Sequence, residues 1–264
     1  MAKPEFIIGM ETSGAIRDAI IALGYPAISV DLLPAQNGGP HHQGCVFDFI
    51  DANPGRFAGG FFHPDCTFLT VSAAWAFKDP DFGRWPGVGY HQRVQPGTKT
   101  GAARREARTR SIGDVERVRR LPFLKGMENP RGVIPTMTSL KRETQTVHPF
   151  QFGSDASKQT CLWWFGEEGE RRDDIILPIR PELYVKPRLW CRACRQCSTY
   201  DGMIRAKGCE HCGGEQGQML PRWANQSDGG QNRETPGADR WQVRSNTYPG
   251  IAKAIAEALV RAAT

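Results

Sequence analysis

The chain has 264 residues, enough for one large domain or for a core domain with an insertion. Its formal charge is +6, its mean hydropathy is −0.47, and its longest apolar runs are far too short to span a bilayer. These values predict a soluble protein with no membrane partner. The first residues lack a signal-peptide core, which predicts a cytoplasmic location.

The chain opens with a pattern typical of a βαβ unit. An apolar strand over residues 6–10 leads into the polar turn Glu11-Thr12-Ser13-Gly14, and residues 15–23 have helical spacing. A second strand, residues 27–31, ends in Asp31, about twenty residues past the turn, where such units place the acid that binds a cofactor ribose. The alternative is an acid that merely ends a strand. A turn with one glycine argues against a dinucleotide.

A cysteine follows the next buried strand, Phe57–Phe62, in the run His63-Pro64-Asp65-Cys66. Open α/β sheets bind their ligands just past strand ends, so a thiol there is a candidate nucleophile. The alternative is that Cys66 is a small buried hydrophobic residue, the usual state of a free cysteine. Before this strand, residues 46–50 resume regular structure, and Asp48 is a candidate ligand of the cofactor's base.

A second polar group occurs at the end of a strand after an arginine-rich helix. Residues 75–100 are predicted to be a long irregular loop, residues 102–121 a helix, and residues 122–127 a strand that ends at Glu128-Asn129-Pro130. A carboxylate at Glu128 is suited to hold a substrate ring nitrogen; the alternative is a surface acid. The helix is either a solvated face or a phosphate-binding surface. Its basic residues are Arg104, Arg105, Arg108, Arg110, Arg117, Arg119 and Arg120.

The remaining core patterns lie towards the end of the chain. The polar run Lys158-Gln159-Thr160 is a candidate substrate contact and leads into a strand whose Trp163 and Trp164 are predicted to pack in the core. Ser245-Asn246-Thr247 precedes an amphipathic helix over residues 251–263.

Five of the eight cysteines lie between Cys191 and Cys212, a spacing typical of a zinc site rather than of disulfides. Four thiolates fill a tetrahedral zinc site, which predicts a structural ion. The small residue after Cys197 favours the pair Cys194 and Cys197 over Cys191 and Cys194. The predicted ligands are therefore Cys194, Cys197, Cys209 and Cys212.

In this order, the motifs resemble those of the cytosine-C5 DNA methyltransferases, in particular the short forms found in bacteriophages. The resemblance covers about the whole chain except the cysteine block, and it is specific because the motifs form an ordered set. It implies an α/β, Rossmann-like S-adenosylmethionine-dependent methyltransferase fold with a small zinc-ribbon insertion. The implied division is a catalytic core at 1–185, the zinc ribbon as target recognition region at 186–222, and a loop and helix completing the core at 223–264.

The resemblance also implies the role of each motif. Cys66 and Glu128 would be catalytic, and Asn129, Lys158, Gln159 and Thr160 would bind substrate. S-adenosylmethionine would be held by Glu11, Thr12, Ser13, Gly14, Asp31, Leu32, Asp48, Asn246 and Thr247. The implied partner is DNA, duplex or single-stranded, in the host cytoplasm if a phage encodes the protein.

The chain also departs from the family pattern. Asp65 stands where the family has proline, Pro130 replaces a valine, and no clean Gln-x-Arg-x-Arg motif is found. Two alternatives therefore remain: an enzyme that modifies C5 of a free pyrimidine nucleotide, and a non-catalytic nucleic-acid-binding protein with the same fold.

Overall fold

The computed structural model describes residues 3–71, 73–198, 209, 211–214, 219–227 and 246–264, with only the backbone at 197–198. The chain divides into two compact units. The first comprises Met1–Thr146, Thr160–Ile176 and Ala256–Thr264, and the second comprises Val147–Gln159 and Leu177–Ile255. The second unit is thus larger than the insertion predicted at 186–222.

The first unit is built on a seven-stranded sheet. In chain order the strands are β1 Glu5–Gly9, β2 Ala27–Asp31, β3 His41–Gln43, β4 Phe57–Phe62, β5 Leu124–Pro130, β6 Gln145–Val147 and β7 Thr160–Phe165. Their order across the sheet is β3-β2-β1-β4-β5-β7-β6. The first five are parallel, and β7 is antiparallel to β5. This is an α/β architecture with a mostly parallel sheet, compatible with a Rossmann-like fold.

The helices are α1 Ala15–Ala22, α2 Val46–Asp51, α3 Gly101–Arg119, α4 Ile134–Met137 and α5 Pro249–Ala263. Short 3₁₀ turns occur at Ala74–Phe77, Pro149–Phe152 and Pro181–Leu183. Of the helices in the described part of the chain, none combines the length and the apolar character required to cross a bilayer.

The strands predicted from apolar runs form the centre of the sheet because they are buried on both faces. Phe61 and Phe62 are consecutive in β4 and both fully buried. Trp163 and Trp164 are buried in β7, which confirms that they pack in the core. The polar residues 41–43 form the edge strand β3.

The chain reverses its direction of progress across the sheet between β1 and β4. β1 is followed by β2 and β3 on one side, whereas β4 and β5 continue on the other. Open α/β sheets form their ligand crevice outside the carboxyl ends of the strands at such a point. Residues 10–14, residues 63–66 and Glu128 lie just past or near these ends, so the topology brings the predicted motifs to one edge.

The second unit contains a three-stranded antiparallel sheet in the order β10-β8-β9. Its strands are β8 Arg188–Cys191, β9 Cys197–Ser198 and β10 Met219–Arg222. Outside this sheet, the Phe150 ring stacks on Trp223 with their centroids 4.7 Å apart, and His148 stacks on Phe150 at 5.2 Å. These contacts join separate segments of the unit.

The backbone of residues 63–70, here called the Cys66 loop, crosses closely over the segment after β5. The Val133 N–H donates to Leu69 O at 2.8 Å, and Thr70 and Gly132 form an antiparallel bridge. A Cβ placed on Gly132 would lie 2.0 Å from Leu69 O, so a side chain there would force the two backbones apart.

We expect Gly132→Ala to lower the free energy of unfolding by about 1–3 kcal/mol, because the new Cβ meets a backbone oxygen that cannot rotate away. Urea denaturation measures the change. Gly113→Ala is the matched control, because a Cβ at this exposed position in α3 meets no atom within 4 Å. Alanine in a helix should leave stability unchanged or raise it by up to about 1 kcal/mol. Equal stability of the two variants would show that the crossing tolerates a side chain.

Candidate active site and metal centre

Two side chains form a pair at the carboxyl ends of β4 and β5. The parallel register places Phe62 beside Met127, so His63 and Glu128 are the next pair along. His63 Nδ1 lies 3.1 Å from Glu128 Oε1, and the two side chains are only 9% and 13% exposed. The sequence predicted a role for Glu128 but assigned none to His63. Its position directly after a buried strand was the available signal.

Asn129 ties the Glu128 segment to the Cys66 loop. Its Nδ2 donates to Pro64 O at 2.8 Å, and the residue is only 1% exposed. The sequence predicted a substrate contact for Asn129, but its amide nitrogen holds the loop two residues before Cys66. Together with the His63–Glu128 pair and the Leu69–Val133 bond, this link brings the two predicted catalytic segments side by side.

Cys66 lies within a compact turn. Its carbonyl accepts hydrogen bonds from the N–H groups of Leu69 and Thr70 at 3.2 and 3.1 Å, and Asp65 Oδ1 accepts one from Thr67 N at 2.8 Å. Cys66 is half-buried. By contrast, burial raises the pKa of the Cys161 thiol in β7 to about 11, which leaves that thiol protonated near neutral pH.

Arginines of α3 bind the backbone of the Cys66 loop. Arg104, which is 5% exposed, donates from Nη2 to Thr67 O at 3.1 Å and from Nη1 to Lys99 O at 3.3 Å. Arg108 Nε donates to Phe68 O at 2.7 Å. Arg104 and Arg108 therefore face inward, which neither prediction for the helix anticipated. These two inward arginines donate hydrogen bonds to backbone carbonyls, because a carbonyl away from water needs a donor. The side chains of Arg105, Arg110, Arg117 and Arg120 are 48% to 74% exposed, and the two predicted roles, a solvated face or a phosphate-binding surface, apply to these.

The turn after β1 is organised around Glu11. Its Oε1 accepts a hydrogen bond from Ala15 N at 3.0 Å, at the start of α1, and another from Ser13 Oγ. Thr12 Oγ1 accepts a bond from Gln36 Nε2 at 2.8 Å. The side chains of Thr12 and Ser13, predicted to bind a cofactor, therefore have local partners. Gly14, also predicted, adopts the left-handed conformation (φ 71°) that starts the helix.

The other predicted cofactor residues of the first unit lie at the end of β2, just past it, and after β3. Asp31 Oδ1 accepts a hydrogen bond from Leu33 N at 2.9 Å, and the Leu32 side chain between them is 71% exposed. Asp48 is exposed in the first turn of α2. This end of the sheet thus presents an acid beside an exposed apolar side chain.

The remaining predicted residues lie in the second unit or at the start of β7, beside the carboxyl end of β5. Lys158, Gln159, Asn246 and Thr247 belong to the second unit. Thr160 opens β7, where it is buried opposite Pro130. Ser245, quoted in the last motif, lies outside the described residues.

Three buried polar atoms at the ends of β1, β4 and β5 have no hydrogen-bond partner among the described residues. They are Glu11 Oε2, His63 Nε2 and Asn129 Oδ1. Buried polar atoms are nearly always satisfied, and their concentration at the ends of three neighbouring strands indicates a site for a polar ligand. The sequence could not reveal these atoms, because whether a polar atom has a partner depends on all the side chains and backbone groups that surround it in the fold.

The second unit contains a cluster of four cysteines that could hold a zinc ion. The sulphurs of Cys191, Cys194, Cys209 and Cys212 all lie within 4.8 Å of one another. Cys191 and Cys212 are 3.8 Å apart, and Cys194 and Cys209 are 3.6 Å apart. Tetrahedral zinc with bonds of about 2.3 Å places its sulphurs about 3.8 Å apart. The spacing therefore fits the ion.

The described residues of the two C-x-x-C turns share the same backbone hydrogen bonds. Arg195 N donates to Cys191 O at 2.9 Å, and Gly213 N donates to Cys209 O at 2.8 Å. Arg195 and Gly213, which follow the second cysteine of each pair, are both left-handed, with φ of 59° and 64°. Each turn is closed by a second bond, from Cys191 N to Gln196 O and from Cys209 N to Gly214 O, both 3.0 Å.

This repetition includes Cys191 in the described cluster, whereas the side chain of Cys197, which the sequence favoured as a ligand, lies outside the described residues. Cys197 was favoured because a small residue follows it, but Arg195 adopts the required left-handed turn although it is large. Backbone N–H groups of Cys194 and Ala193 lower the pKa of Cys191 to about 7, whereas burial raises that of Cys194 to about 12. A divalent cation would allow all four thiols to ionise together.

Comparisons with known proteins do not assign this site. No protein-family model matches the chain, and a search of curated proteins finds no match.

We expect the purified protein to hold about one zinc ion per chain. Cys191→Ser should lose the metal, whereas Cys197→Ser should retain it, because the two knuckles contain Cys191 and not Cys197. Elemental analysis after dialysis measures the metal content. Loss of zinc in Cys197→Ser with retention in Cys191→Ser would restore the ligand set predicted from the sequence.

We expect Arg104→Met to increase amide hydrogen exchange at residues 66–70, because the Thr67 and Lys99 carbonyls lose a buried donor at a cost of about 1–3 kcal/mol. Mass-spectrometric hydrogen exchange measures this effect. Arg110→Met is the matched control: Arg110 is an exposed arginine of α3 that pairs with Glu106 at 3.0 Å. If both variants exchange alike, Arg104 does not hold the loop.

Proposed function

We propose that the protein is an S-adenosylmethionine-dependent methyltransferase that modifies C5 of cytosine in DNA through a covalent adduct with Cys66. The observation that carries the proposal is the joining of the Cys66 loop to the Glu128 segment at the switch point of the sheet. Three contacts join them: His63 with Glu128, Asn129 with Pro64, and Val133 with Leu69. A nucleophile and a carboxylate on one substrate ring require such a placement.

The sheet supports the methyltransferase assignment. Its first five strands follow the Rossmann order, and the antiparallel strand β7 is inserted between β5 and β6. A seventh, antiparallel strand at this place is typical of S-adenosylmethionine-dependent methyltransferases. The resemblance of the motifs and the topology are separate observations that favour the same fold.

The edge near β1 and β2 suits this cofactor. S-adenosylmethionine supplies, when bound, an electrophilic methyl group on a positively charged sulphur. Glu11 offers a buried carboxylate oxygen without a partner among the described residues, suited to a cationic or hydroxyl group. Asp31 is placed for ribose hydroxyls, and exposed Leu32 offers an apolar surface for a flat base.

Cys66 would activate the substrate by addition. C5 of cytosine is a weak nucleophile, and a thiolate that bonds to C6 makes C5 enamine-like. Glu128 would hydrogen-bond the ring at N3 and stabilise the charge that develops there. After methylation, loss of the C5 proton and departure of the Cys66 thiolate restore the aromatic ring.

The proposed acceptor is a cytosine in DNA. In duplex DNA the cytosine must be flipped out of the stack, at a cost of roughly a few kcal/mol. Arg104 and Arg108 are committed to the Cys66 loop, which leaves fewer α3 arginines for phosphates. That observation favours a free pyrimidine nucleotide as the second candidate acceptor. In this proposal the second unit contacts DNA, and a zinc ion held by its four cysteines has a structural role.

We expect wild-type protein to transfer a labelled methyl group to DNA, and Cys66→Ala to transfer none, because C5 stays unactivated without the adduct. DNA that carries 5-fluorocytosine should trap wild type covalently, since fluorine cannot leave C5 as a cation. Mass spectrometry of the adduct identifies the attached residue. Glu128→Gln should bind the cofactor normally and turn over at least about a hundredfold more slowly.

Cys45→Ser is the control, since Cys45 lies at the start of α2 and has no role in the proposal. Equal labelling by wild type and Cys66→Ala would remove Cys66 from the chemistry. A comparison of deoxycytidine monophosphate, single-stranded DNA and duplex DNA separates the acceptors. DNA binding without cofactor binding in calorimetry would instead identify a non-catalytic protein.

A further inference from the structure

We propose that His63 is a specificity-determining residue, whose Nε2 accepts a hydrogen bond from the exocyclic N4 amino group of cytosine. The inference rests on the proposed function, because it assigns a further contact to the same substrate ring. It starts from a buried nitrogen that has no partner among the described residues.

The two nitrogens of His63 have different environments. Nδ1 lies 3.1 Å from Glu128 Oε1, and an oxygen that accepts this hydrogen bond requires the proton to be on Nδ1. In the neutral ring, Nε2 is then an acceptor. The ring also contacts Phe61 edge-on, with centroids 5.4 Å apart. With Glu128 Oε1 as the acceptor, Glu128 fixes the tautomer of the imidazole, and Glu128 and Phe61 together fix its orientation.

This arrangement complements the edge of cytosine. Cytosine presents an acceptor, N3, next to a donor, the N4 amino group. A carboxyl group at Glu128 that accepts from His63 through Oε1 can donate to N3 through a protonated Oε2. Because His63 is hydrogen-bonded to the same carboxyl, it lies near the ring position next to N3. If that position is C4, the acceptor Nε2 of His63 matches the N4–H donor. Uracil reverses both positions, with N3–H and O4, and would face Nε2 with a lone pair.

The alternative neighbour of N3 on the ring is C2, with its oxygen acceptor. A histidine there would have to donate from Nε2, which conflicts with a proton held on Nδ1 by Glu128. The tautomer therefore selects the amino side of the ring. Buried polar groups left unpaired by the wrong substrate are a strong source of discrimination.

The test compares two oligonucleotides that differ only at the target base, cytosine or 2-pyrimidinone, which lacks the N4 amino group. Affinity is measured by fluorescence anisotropy and methyl transfer with labelled cofactor, for wild type, His63→Phe and His63→Gln. We expect wild type to favour cytosine by roughly fivefold to tenfold, and His63→Phe to lose this preference. His63→Gln, whose amide oxygen is an acceptor, should recover part of it.

The ratio of the affinities for cytosine and 2-pyrimidinone separates recognition from structural damage, because a disturbed Glu128 would weaken the binding of both bases alike. An unchanged cytosine preference in His63→Phe, or equal use of both bases by wild type, would overturn the inference. Preference in binding that depends on His63, without any methyl transfer, would support the inference and defeat the proposed function. Methyl transfer that requires Cys66, with a cytosine preference that does not depend on His63, would support the proposed function and defeat the inference.

Discussion

The parallel pairing of β4 with β5 is the constraint on which the candidate site depends. It places Phe62 beside Met127, and the following residues, His63 and Glu128, are then forced together where the strands end. A shift of one residue in this register would turn each side chain to the other face. The pair therefore persists only as long as the buried apolar strands keep their alignment, so the core determines the polar site.

The positive charge of the chain is used partly inside the fold. A net charge of +6 and a cluster of arginines favour nucleic acid as a partner, yet Arg104 and Arg108 donate to carbonyls of the Cys66 loop. A loop of this kind carries backbone oxygens that no strand satisfies, and a buried guanidinium can satisfy more than one of them. Charge counted along a sequence therefore overstates the charge offered to a ligand.

The sequence predicted the central strands and the position of the site at their ends, because strands buried on both faces form continuous apolar runs. It missed β3, whose three residues are polar and lie at the sheet edge. The His63–Glu128 contact depends on a register between strands more than sixty residues apart, which no local pattern encodes. The place of Cys191 in the cluster depends on the backbone angle of Arg195, an arginine in a conformation that favours glycine.

The unsatisfied atoms at this edge have an energetic consequence. A buried polar atom without a partner costs about 1–3 kcal/mol, and Glu11, His63 and Asn129 each contribute one atom that has no partner among the described residues. Domains are stable by only about 5–15 kcal/mol, so three such atoms are a substantial burden for a fold without its ligand. A ligand that satisfies them binds only the folded chain and raises its stability. The same buried atoms that cost stability in the free fold are thus the atoms with which the proposed polar, hydrogen-bonding ring would pair.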